Sequence, residues 1–257
     1  MTSSAPPPAQ PEAARPPSIR VRLPAHPVRL TYALLGLIVV VFLAQSSLKP
    51  LFGYDLIIAL GAKENWRIAH GELWRLFTPI FIHGGVAHLL LNAYALYSLG
   101  REIEWFYGPL RFGLIFLLAG LSGSAASLLL NPSPSVGASG AIFGLVGAEG
   151  VLLYKNRGVF GAHSRRALQN VVAVVLLNLF IGLQGGIDNW AHLGGLAGGA
   201  LLSWFIGPQW AAVSAPAFAA EITLEDQHAL TGARWLAVLG FAVGLAALTG
   251  FAIALRR

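Results

Sequence analysis

The sequence predicts an all-α protein that crosses a lipid bilayer several times. Of its 257 residues, 56% are hydrophobic and 11% are charged, and a mean hydropathy of +0.66 is too apolar for a soluble domain. The apolar residues gather in seven stretches, each close to the roughly 20 residues that a helix needs to cross a bilayer. These stretches are 30–48, 84–100, 112–130, 137–154, 168–184, 190–206 and 235–255.

The apolar stretches and the segments between them divide the chain into four parts. Residues 1–27 are rich in Pro, Ala and Ser and have neither an apolar core nor a small-residue cleavage site, which predicts a disordered cytoplasmic tail. Residues 28–206 hold the first six stretches, and 207–234 are predicted to be a cytoplasmic linker. Residues 235–257 hold an additional C-terminal membrane helix.

The composition also excludes several classes of site. The chain has no cysteine, so disulfides, a thiolate nucleophile and cysteine-based metal sites are ruled out. Its formal charge of +6 comes from basic residues that are scattered among the helix ends and form no stripe of the kind that binds nucleic acid. Nucleic acid is therefore not an expected partner.

The distribution of Lys and Arg predicts the orientation of the bundle, because cytoplasmic loops of membrane proteins carry an excess of positive charge. With the N-terminus inside, eleven of the 17 basic residues lie on the cytoplasmic side: Arg15, Arg20, Arg22, Arg29, Arg101, Arg111, Lys155, Arg157, Arg165, Arg166 and Arg234. The other six lie outside: Lys49, Lys63, Arg67, Arg75, Arg256 and Arg257. The final pair departs from the rule if the seventh stretch spans the membrane.

Three polar side chains lie at a similar depth in this topology. The second, fourth and sixth stretches all run from outside to inside, and His88, Ser139 and His192 each lie near the start of one of them. Polar and ionisable side chains cost free energy in hydrocarbon, and they usually pair with one another or serve a function. We therefore expect the three residues to share one layer near the outer face.

The residues around Ser139 favour close helix packing and an accessible helix end. Pairs of glycines at four-residue spacing, Gly140 with Gly144 and Gly195 with Gly199, let two membrane helices approach closely. Two prolines end the third stretch, which leaves Ser139 near a helix N-terminus where backbone N–H groups are unpaired. Such N–H groups favour a developing oxyanion.

His88 and Asn92 are spaced i, i+4, which sets both on one face of a helix about 6 Å apart. Taken singly, some of these polar residues have simpler explanations, since a serine in a Gly-Ala-Ser-Gly run is ordinary helix-packing material and an asparagine can link helices by hydrogen bonding. A histidine within the membrane is more informative because of its cost in lipid. The joint pattern favours a functional site.

Together these motifs resemble those of the rhomboid family of intramembrane serine proteases. Gly-x-Ser-Gly opens the fourth stretch at 137–140, Ala-His-x-x-Gly opens the sixth at 191–195, and His-x-x-x-Asn opens the second at 88–92. The resemblance covers about residues 71–206 and includes Glu-Leu-Trp-Arg at 72–75. The N-terminal tail and the last helix lie outside it.

The resemblance implies a six-helix rhomboid-like core in which Ser139 attacks the scissile carbonyl. His192 would act as its general base and then as an acid toward the leaving amine. The resemblance also implies an oxyanion hole formed by His88, Asn92 and the backbone N–H of Ser139, and a dyad that needs neither a metal nor a cofactor. The expected fold is thus an all-α polytopic membrane protein with a six-helix core and one C-terminal transmembrane helix.

Three residues near the predicted dyad receive supporting roles. His83 fits the family pattern just before the second helix and is interpreted as a structural or water-organising residue. Phe143 lies one turn beyond Ser139, where an aromatic ring can stack on the catalytic imidazole in the family. Asp188 is assigned to the loop before the sixth helix, since the family works as a dyad.

Three more residues are predicted to act at the edges of the membrane. Trp74 and Arg75 are expected to anchor the outer loop at the membrane interface. Glu149 follows Ser139 by ten residues, about 15 Å along a helix. We interpret it as a carboxylate that reaches the cytoplasmic surface, with a polar network inside the bundle as the alternative.

The leading functional hypothesis is an intramembrane endopeptidase that cleaves transmembrane segments of membrane proteins. Its expected partners are those substrates and the lipid bilayer, and its expected location is a bacterial plasma membrane with a cytoplasmic N-terminus. A catalytically inactive rhomboid-like protein that binds client helices is the main alternative. A transporter is disfavoured because the sequence has no paired repeats with broken helices. The sequence does not fix the oligomeric state.

Overall fold

The protein is helical through most of the chain. The computed structural model describes residues 20–22, 25–214 and 221–257, and most of the predicted tail lies outside this part. The α-helices of the described residues are α1 (Leu30–Phe52), α2 (Leu56–Gly61), α3 (Asn65–Ala69), α4 (Val86–Ala95), α5 (Arg101–Tyr107), α6 (Pro109–Leu130), α7 (Ser139–Lys155), α8 (Arg157–Phe160), α9 (Ala162–Gly182), α10 (Asn189–Ile206) and α11 (Gly232–Ala254). Two 3₁₀ helices, Leu73–Leu76 and Thr78–Phe81, lead into α4.

The helices account for all seven predicted apolar stretches. Among the described residues, α1, α6, α9 and α11 are long and apolar enough to cross a membrane. The second stretch is a continuous helix, because a π-helical turn at Leu96–Gly100 joins α4 to α5. The fourth and sixth stretches are α7 and α10. The chain is therefore an integral, all-α membrane protein, and its division into six core crossings plus one stays a prediction.

Helices α6, α7 and α10 form the centre of the bundle. Helix α10 makes its most extensive contacts with α7 and α6, and the side chains of Phe112, Phe116 and Leu145 are fully buried there. The glycine spacing explains the close approach, because a Cβ atom at Gly195 would overlap the carbonyl oxygen of Gly140. This packing brings the first turns of α7 and α10 together at one end of the bundle, which we call the Ser139 end.

The start of α1 is held by a buried carboxylate from α5. Both carboxylate oxygens of Glu104 accept hydrogen bonds from the backbone N–H groups of Arg29, Leu30 and Thr31, at 2.7 to 2.9 Å. Glu104 is fully buried, and negative charge at a helix N-terminus satisfies its unpaired donors. These hydrogen bonds fix the start of α1 against α5.

A small sheet lies at the end of the bundle opposite Ser139. Its strands are β1 (Arg20–Arg22), β2 (Trp210–Ser214) and β3 (Glu221–Asp226), in the order β1-β3-β2. Strand β1 pairs parallel with β3, and β2 pairs with it antiparallel. The composition predicts that residues 20–22 belong to a disordered tail, but they form a strand, because they pair with a segment about 200 residues away.

Aromatic and charged contacts attach this sheet to the helices. The ring of Trp210 lies 5.1 Å from that of Phe106 and 5.9 Å from that of Phe160, centroid to centroid. Arg111, at the start of α6, forms an ion pair of 2.7 Å with Asp226. The predicted linker between α10 and α11 therefore packs against the helical core.

Candidate active site

Ser139 and His192 are hydrogen-bonded to each other at the Ser139 end. Ser139 is the first residue of α7 and His192 lies in the first turn of α10, so the close packing of these two helices brings the side chains together. The distance between Ser139 Oγ and His192 Nε2 is 2.9 Å. This distance is within the range for proton transfer from a hydroxyl to an imidazole.

The aromatic ring of Phe143 fixes the plane of the imidazole. Phe143 follows Ser139 by one helical turn, and its ring stacks on that of His192 with a centroid distance of 4.2 Å and an interplanar angle of 8°. The imidazole is 6% exposed. The ring is therefore held between α7 and α10 with its Nε2 atom directed at the hydroxyl.

The other ring nitrogen of His192 does not form a triad with a carboxylate. His192 Nδ1 is buried and has no hydrogen-bond partner among the described residues. Asp188, the acidic residue nearest in sequence, caps α10 by accepting a hydrogen bond of 3.0 Å from the backbone N–H of Ala191. The arrangement is a serine–histidine pair without a third member.

A large cavity contains all four predicted site residues. Its volume is about 1050 Å³, and it lies among α4, α6, α7, α9 and α10. Ser139, His192, His88 and Asn92 line it, and Glu149 lines it farther along α7. Glu149 is half-buried along this cavity, and among the described residues its carboxylate forms no hydrogen bond or ion pair, so it joins no polar network with another helix.

His88 lies beside the loop that leads into α7. Gly137 in this loop has a φ of +127°, and a Cβ atom there would lie 2.7 Å from His88 Nε2 and 3.7 Å from Ser139 Oγ. Only glycine combines this backbone conformation with such a close approach. Gly137 thus lies between the imidazole of His88 and the hydroxyl of Ser139, and its lack of a side chain lets both come close to it.

Asn92 lies one turn beyond His88 and is buried, with 5% of its surface exposed. Its side-chain Nδ2 donates a hydrogen bond of 2.9 Å to the backbone carbonyl of His88. An amide NH₂ group has two hydrogens, so one remains for a ligand in the cavity. The i, i+4 spacing thus sets both side chains on the cavity face of α4.

His83 is buried outside the membrane-spanning helices, just before α4. Its backbone N–H and C=O are both hydrogen-bonded to the side chain of Gln45 from α1, at 3.2 and 3.0 Å. Its ring lies edge-on to that of His88 at 5.3 Å. Burial, reinforced by the neighbouring His88, lowers the pKa of His83 to about 4.

Trp74 and Arg75 differ in their surroundings. Trp74 is exposed and its indole N–H donates to the carbonyl of Leu60 at 3.0 Å. Arg75 is 1% exposed and donates to the carbonyls of Ala59 and Ala62 at 2.8 and 3.0 Å. Arg75 is therefore buried inside the loop before α4, where it satisfies backbone carbonyls, and the interfacial position expected from the sequence fits Trp74 only.

Sequence reasoning missed one residue near the site. Lys63 is 1% exposed and hydrogen-bonded to the loop before α7, whereas its sequence position placed it only among the basic residues expected on the outer side. The available signal was the neighbouring Asn65, a polar residue that buried lysines often need as a partner. In the described residues no cluster of three or more His, Cys, Asp or Glu is arranged to hold a metal.

The helices and the Ser139–His192 pair define a polytopic membrane protein with a serine–histidine site inside the bundle. Residues 70–209, more than half of the chain, match the Rhomboid domain, and the chain belongs to the rhomboid family.

Curated relatives share the central part of the chain. It is 48% identical over 146 residues to "Rhomboid protease GluP" of Bacillus subtilis, which covers 56% of this chain and 28% of that protein. It is 40% identical over 155 residues to "RHOMBOID-like protein 1" of Arabidopsis thaliana, covering 59% of this chain and 40% of the relative. "RHOMBOID-like protein 2" of the same plant is 38% identical over 161 residues, with 61% and 50% covered. The match spans half or less of the length of each of these relatives.

Proposed function

We propose that the protein is an intramembrane serine protease that cleaves transmembrane segments of other membrane proteins. The observation that carries the proposal is the 2.9 Å contact between Ser139 Oγ and His192 Nε2 inside the cavity. A serine hydroxyl is a weak nucleophile until an adjacent base accepts its proton, and a paired imidazole is such a base. Family membership and the similarity to a rhomboid protease support the same activity.

In the proposed reaction, Ser139 is first the nucleophile and later the leaving group, and His192 acts as base and then as acid in each half of the reaction. His192 accepts the proton from Ser139 as Oγ attacks the scissile carbonyl, and it gives the proton to the leaving amine when the tetrahedral intermediate collapses. The resulting acyl-enzyme is hydrolysed by a water that His192 deprotonates, which returns the proton and frees Ser139. The step requires neutral His192, so cleavage is expected to fall as acid charges the imidazole.

The negative charge of the tetrahedral intermediate needs donors near Ser139. We assign this role to the side chains of His88 and Asn92 and to the backbone N–H of Ser139. Ser139 begins α7, so its N–H has no partner within the helix. Both side chains line the cavity, and Asn92 has one N–H left to donate.

The proposed protease unit is residues 28–206, and α11 within 235–257 is an addition to it. We further propose that the N-terminus is cytoplasmic, on the Lys and Arg distribution. We also propose that the membrane is a bacterial plasma membrane, which the similarity to a bacterial relative supports. Relatives from a plant leave other membranes as alternatives. Substrates are single-span proteins whose segments open locally in the cavity, and water enters from the Ser139 end.

The test is cleavage of a panel of single-span membrane proteins by the purified chain in detergent. Native protein should produce fragments, and Ser139→Ala should produce none while unfolding at the same temperature, since the change removes one oxygen from a small-residue helix. Ser47→Ala is the matched control, because Ser47 is exposed on α1 and does not line the cavity, and it should cleave normally.

A second measurement separates an active enzyme from a protein that only binds helices. A fluorophosphonate reacts covalently with activated serines, so it should label native protein and Ser47→Ala but not Ser139→Ala. Native protein that binds the substrates yet neither cleaves nor is labelled would favour an inactive rhomboid-like protein. Cleavage by Ser139→Ala near the native rate would remove Ser139 as the nucleophile.

A further inference from the structure

The ammonium group of Lys63 is buried against the loop that precedes α7. Lysine is almost never fully buried unless it is paired, yet Lys63 is 1% exposed. Its Nζ donates to the carbonyls of Asn131 and Ser133, both at 2.8 Å, and to Asn65 Oδ1 at 2.9 Å. A fourth, longer contact of 3.4 Å reaches the carbonyl of Ser127. The ammonium group thus binds carbonyls from both the end of α6 and the loop that follows it.

The backbone of Lys63 holds the same loop. Its N–H donates to the carbonyl of Ser135 at 3.0 Å, and the N–H of Ser135 donates back to Lys63 at 3.1 Å. Two residues later the N–H of Gly137 donates to the carbonyl of Pro79 at 2.8 Å. Ser139 therefore begins its helix at the end of a loop that Lys63 attaches through both main chain and side chain.

Asp188 connects the start of α10 to the same place. Its carboxylate accepts hydrogen bonds from the backbone N–H of Ala191 and from the hydroxyl of Ser127. Burial alone would raise the pKa of Asp188, but these hydrogen bonds outweigh it and the pKa lies below its ordinary value. The carboxylate is thus charged at neutral pH, and Ser127 contacts both Asp188 and Lys63.

The residue that holds the loop before α7 and the residue that caps α10 lie at the same sequence distance from Ser139 and His192. Ser135 precedes Ser139 by four residues, and Asp188 precedes His192 by four residues. Helix α7 has no side-chain hydrogen bond at its own N-cap, so the loop fixes where it begins. A displacement of either attachment therefore moves one member of the pair relative to the other.

We propose that Lys63, Asn65, Ser127, Ser135 and Asp188, which we call the Lys63 cluster, position Ser139 against His192 for the reaction. This role rests on the proposed function. Ser135 and Asp188 line the cavity, but the cluster acts through the starts of α7 and α10 and not on the scissile bond. Opposite charges on Lys63 and Asp188, on either side of Ser127, hold the two starts together.

The test compares kcat, KM and the rate of Ser139 phosphonylation for native protein, Lys63→Met, Asp188→Asn and Ser127→Ala. Asparagine caps helices as well as aspartate, so Asp188→Asn removes the charge and keeps the cap. A misplacement of about 1 Å between reacting groups costs about 100-fold in rate. We expect kcat and the rate of phosphonylation to fall by up to about this factor in each variant. KM should stay unchanged, because His88, Asn92 and the apolar walls of the cavity are not altered.

The double variant Asp188→Asn with Ser127→Ala isolates the connection between the two residues. Because they share one hydrogen bond, the double variant should lose little more than the worse single variant, whereas independent effects would multiply. Lys49→Met is the matched control, since Lys49 is an exposed lysine near the end of α1 and should keep native kcat. Each variant is checked by thermal unfolding, and Asp188→Asn and Ser127→Ala carry the test if Lys63→Met does not fold.

Unchanged kcat and phosphonylation in the folded variants would overturn the proposal, as would an equal loss in Lys49→Met. A rise in KM with unchanged kcat would assign the cluster to substrate binding and would also overturn it. Native protein that neither cleaves nor is labelled defeats the proposed function and the positioning role together. Native activity with unaffected variants defeats the positioning role alone.

Discussion

At the scale of single residues, the surroundings of each polar side chain at the Ser139 end decide which chemistry is open to it. His192 has its Nε2 atom on Ser139 and its ring stacked on Phe143, which suits a base. His88 and Asn92 line the same cavity from α4, and neither side chain is hydrogen-bonded to His192 among the described residues, which suits anion stabilisation. Residues of the same type therefore receive different roles from their contacts.

Asn92→Ala should lower kcat by about 100- to 1,000-fold, the usual cost of removing one oxyanion donor. KM should change little, because the donor acts only after the carbonyl becomes charged. Asn178→Ala is a close control: Asn178 lines the same cavity from α9 and, like Asn92, donates to the carbonyl four residues earlier in its helix, at 2.8 Å. Equal losses in both variants would assign Asn92 to helix packing.

His83 should make the protein less stable in acid. The pKa of His83 is about 4 in the folded protein and about 6.5 in an unfolded chain. Between these values the unfolded chain binds a proton that the folded protein does not, so stability falls as pH drops from about 6.5 toward 4. Thermal unfolding at several pH values should show this fall, and His83→Gln should reduce it.

The matched control for His83 is His70, an exposed histidine in the same outer loop region. His70→Gln should leave the acid-side fall in unfolding temperature as it is in native protein. If His83→Gln and native protein lose stability in parallel between pH 6.5 and 4, another group carries the effect and the burial of His83 is not its cause.

At the scale of helices, the pattern of small residues predicts the central packing well. The spacing of Gly140 with Gly144 and Gly195 with Gly199 indicates close approach, and α7 and α10 are in fact so close that a Cβ atom at Gly195 or Gly199 would overlap backbone atoms of α7. Apolar length likewise predicts where the long helices lie. These features are local in sequence, which is why sequence alone carries them.

Gly199→Ala should separate α7 from α10 and lower both stability and cleavage. The added Cβ would overlap the backbone of Gly144, and backbone atoms do not move aside as side chains do. Overpacking of this kind costs about 1–3 kcal/mol or more. The measurement is the unfolding temperature together with the rate of Ser139 phosphonylation, which reports whether His192 still activates the serine.

Gly240→Ala gives the control for an added methyl group in a helix. Gly240 lies in α11 and its Cβ would meet no atom within 4 Å, so alanine should be neutral or slightly stabilising. If Gly199→Ala were as stable and as reactive as Gly240→Ala, the close contact between α7 and α10 would not be what aligns the pair.

Features that depend on distant parts of the chain could not be predicted in the same way. Strands β1 and β3 pair across about 200 residues, and β1 has only three residues, too few to mark a strand in sequence. Strand β3 does alternate, as Glu-Ile-Thr-Leu-Glu, but its partners are not visible from that segment alone. Lys63 is buried only because the carbonyls at the end of α6 and in the next loop converge on it. The roles of His88 and Asn92 came from family resemblance, since their spacing alone is also explained by helix packing.

At the scale of the whole molecule, the C-terminal arginines are the exception to the charge pattern, and the fold accounts for them. Helix α11 ends at the Ser139 end, where Arg256 donates to the carbonyls of Leu128 and Leu129 at 3.2 and 3.0 Å. Arg257 donates to the carbonyl of Ala69 at 3.1 Å. Unpaired carbonyls at the end of α6 favour a cation there, so this pair lies at the outer face in the proposed orientation for a local reason.

The proposed orientation can be tested by cysteine labelling, because the native chain has no cysteine. His163 is exposed at the start of α9 and should face the cytoplasm, whereas Ser164 beside it is buried and would react poorly wherever it lies. Ser133 is exposed in the loop before α7 and should face outside. An impermeant maleimide added to intact cells should therefore label Ser133→Cys and leave His163→Cys unlabelled until the membrane is opened.

The labelling pattern also shows on which side of the membrane the cavity of Ser139 opens. Lys155, Arg157, Arg165 and Arg166 surround His163 in sequence, so its side of the membrane fixes where most of the positive charge of the bundle lies. Labelling of His163→Cys from outside, with Ser133→Cys protected, would invert the orientation and open the cavity of Ser139 toward the cytoplasm. Water for hydrolysis would then enter from the cytoplasm, and substrates would be cut near their cytoplasmic ends. Labelling of both positions in intact cells would instead show leaky membranes, and the opened-cell control identifies that case.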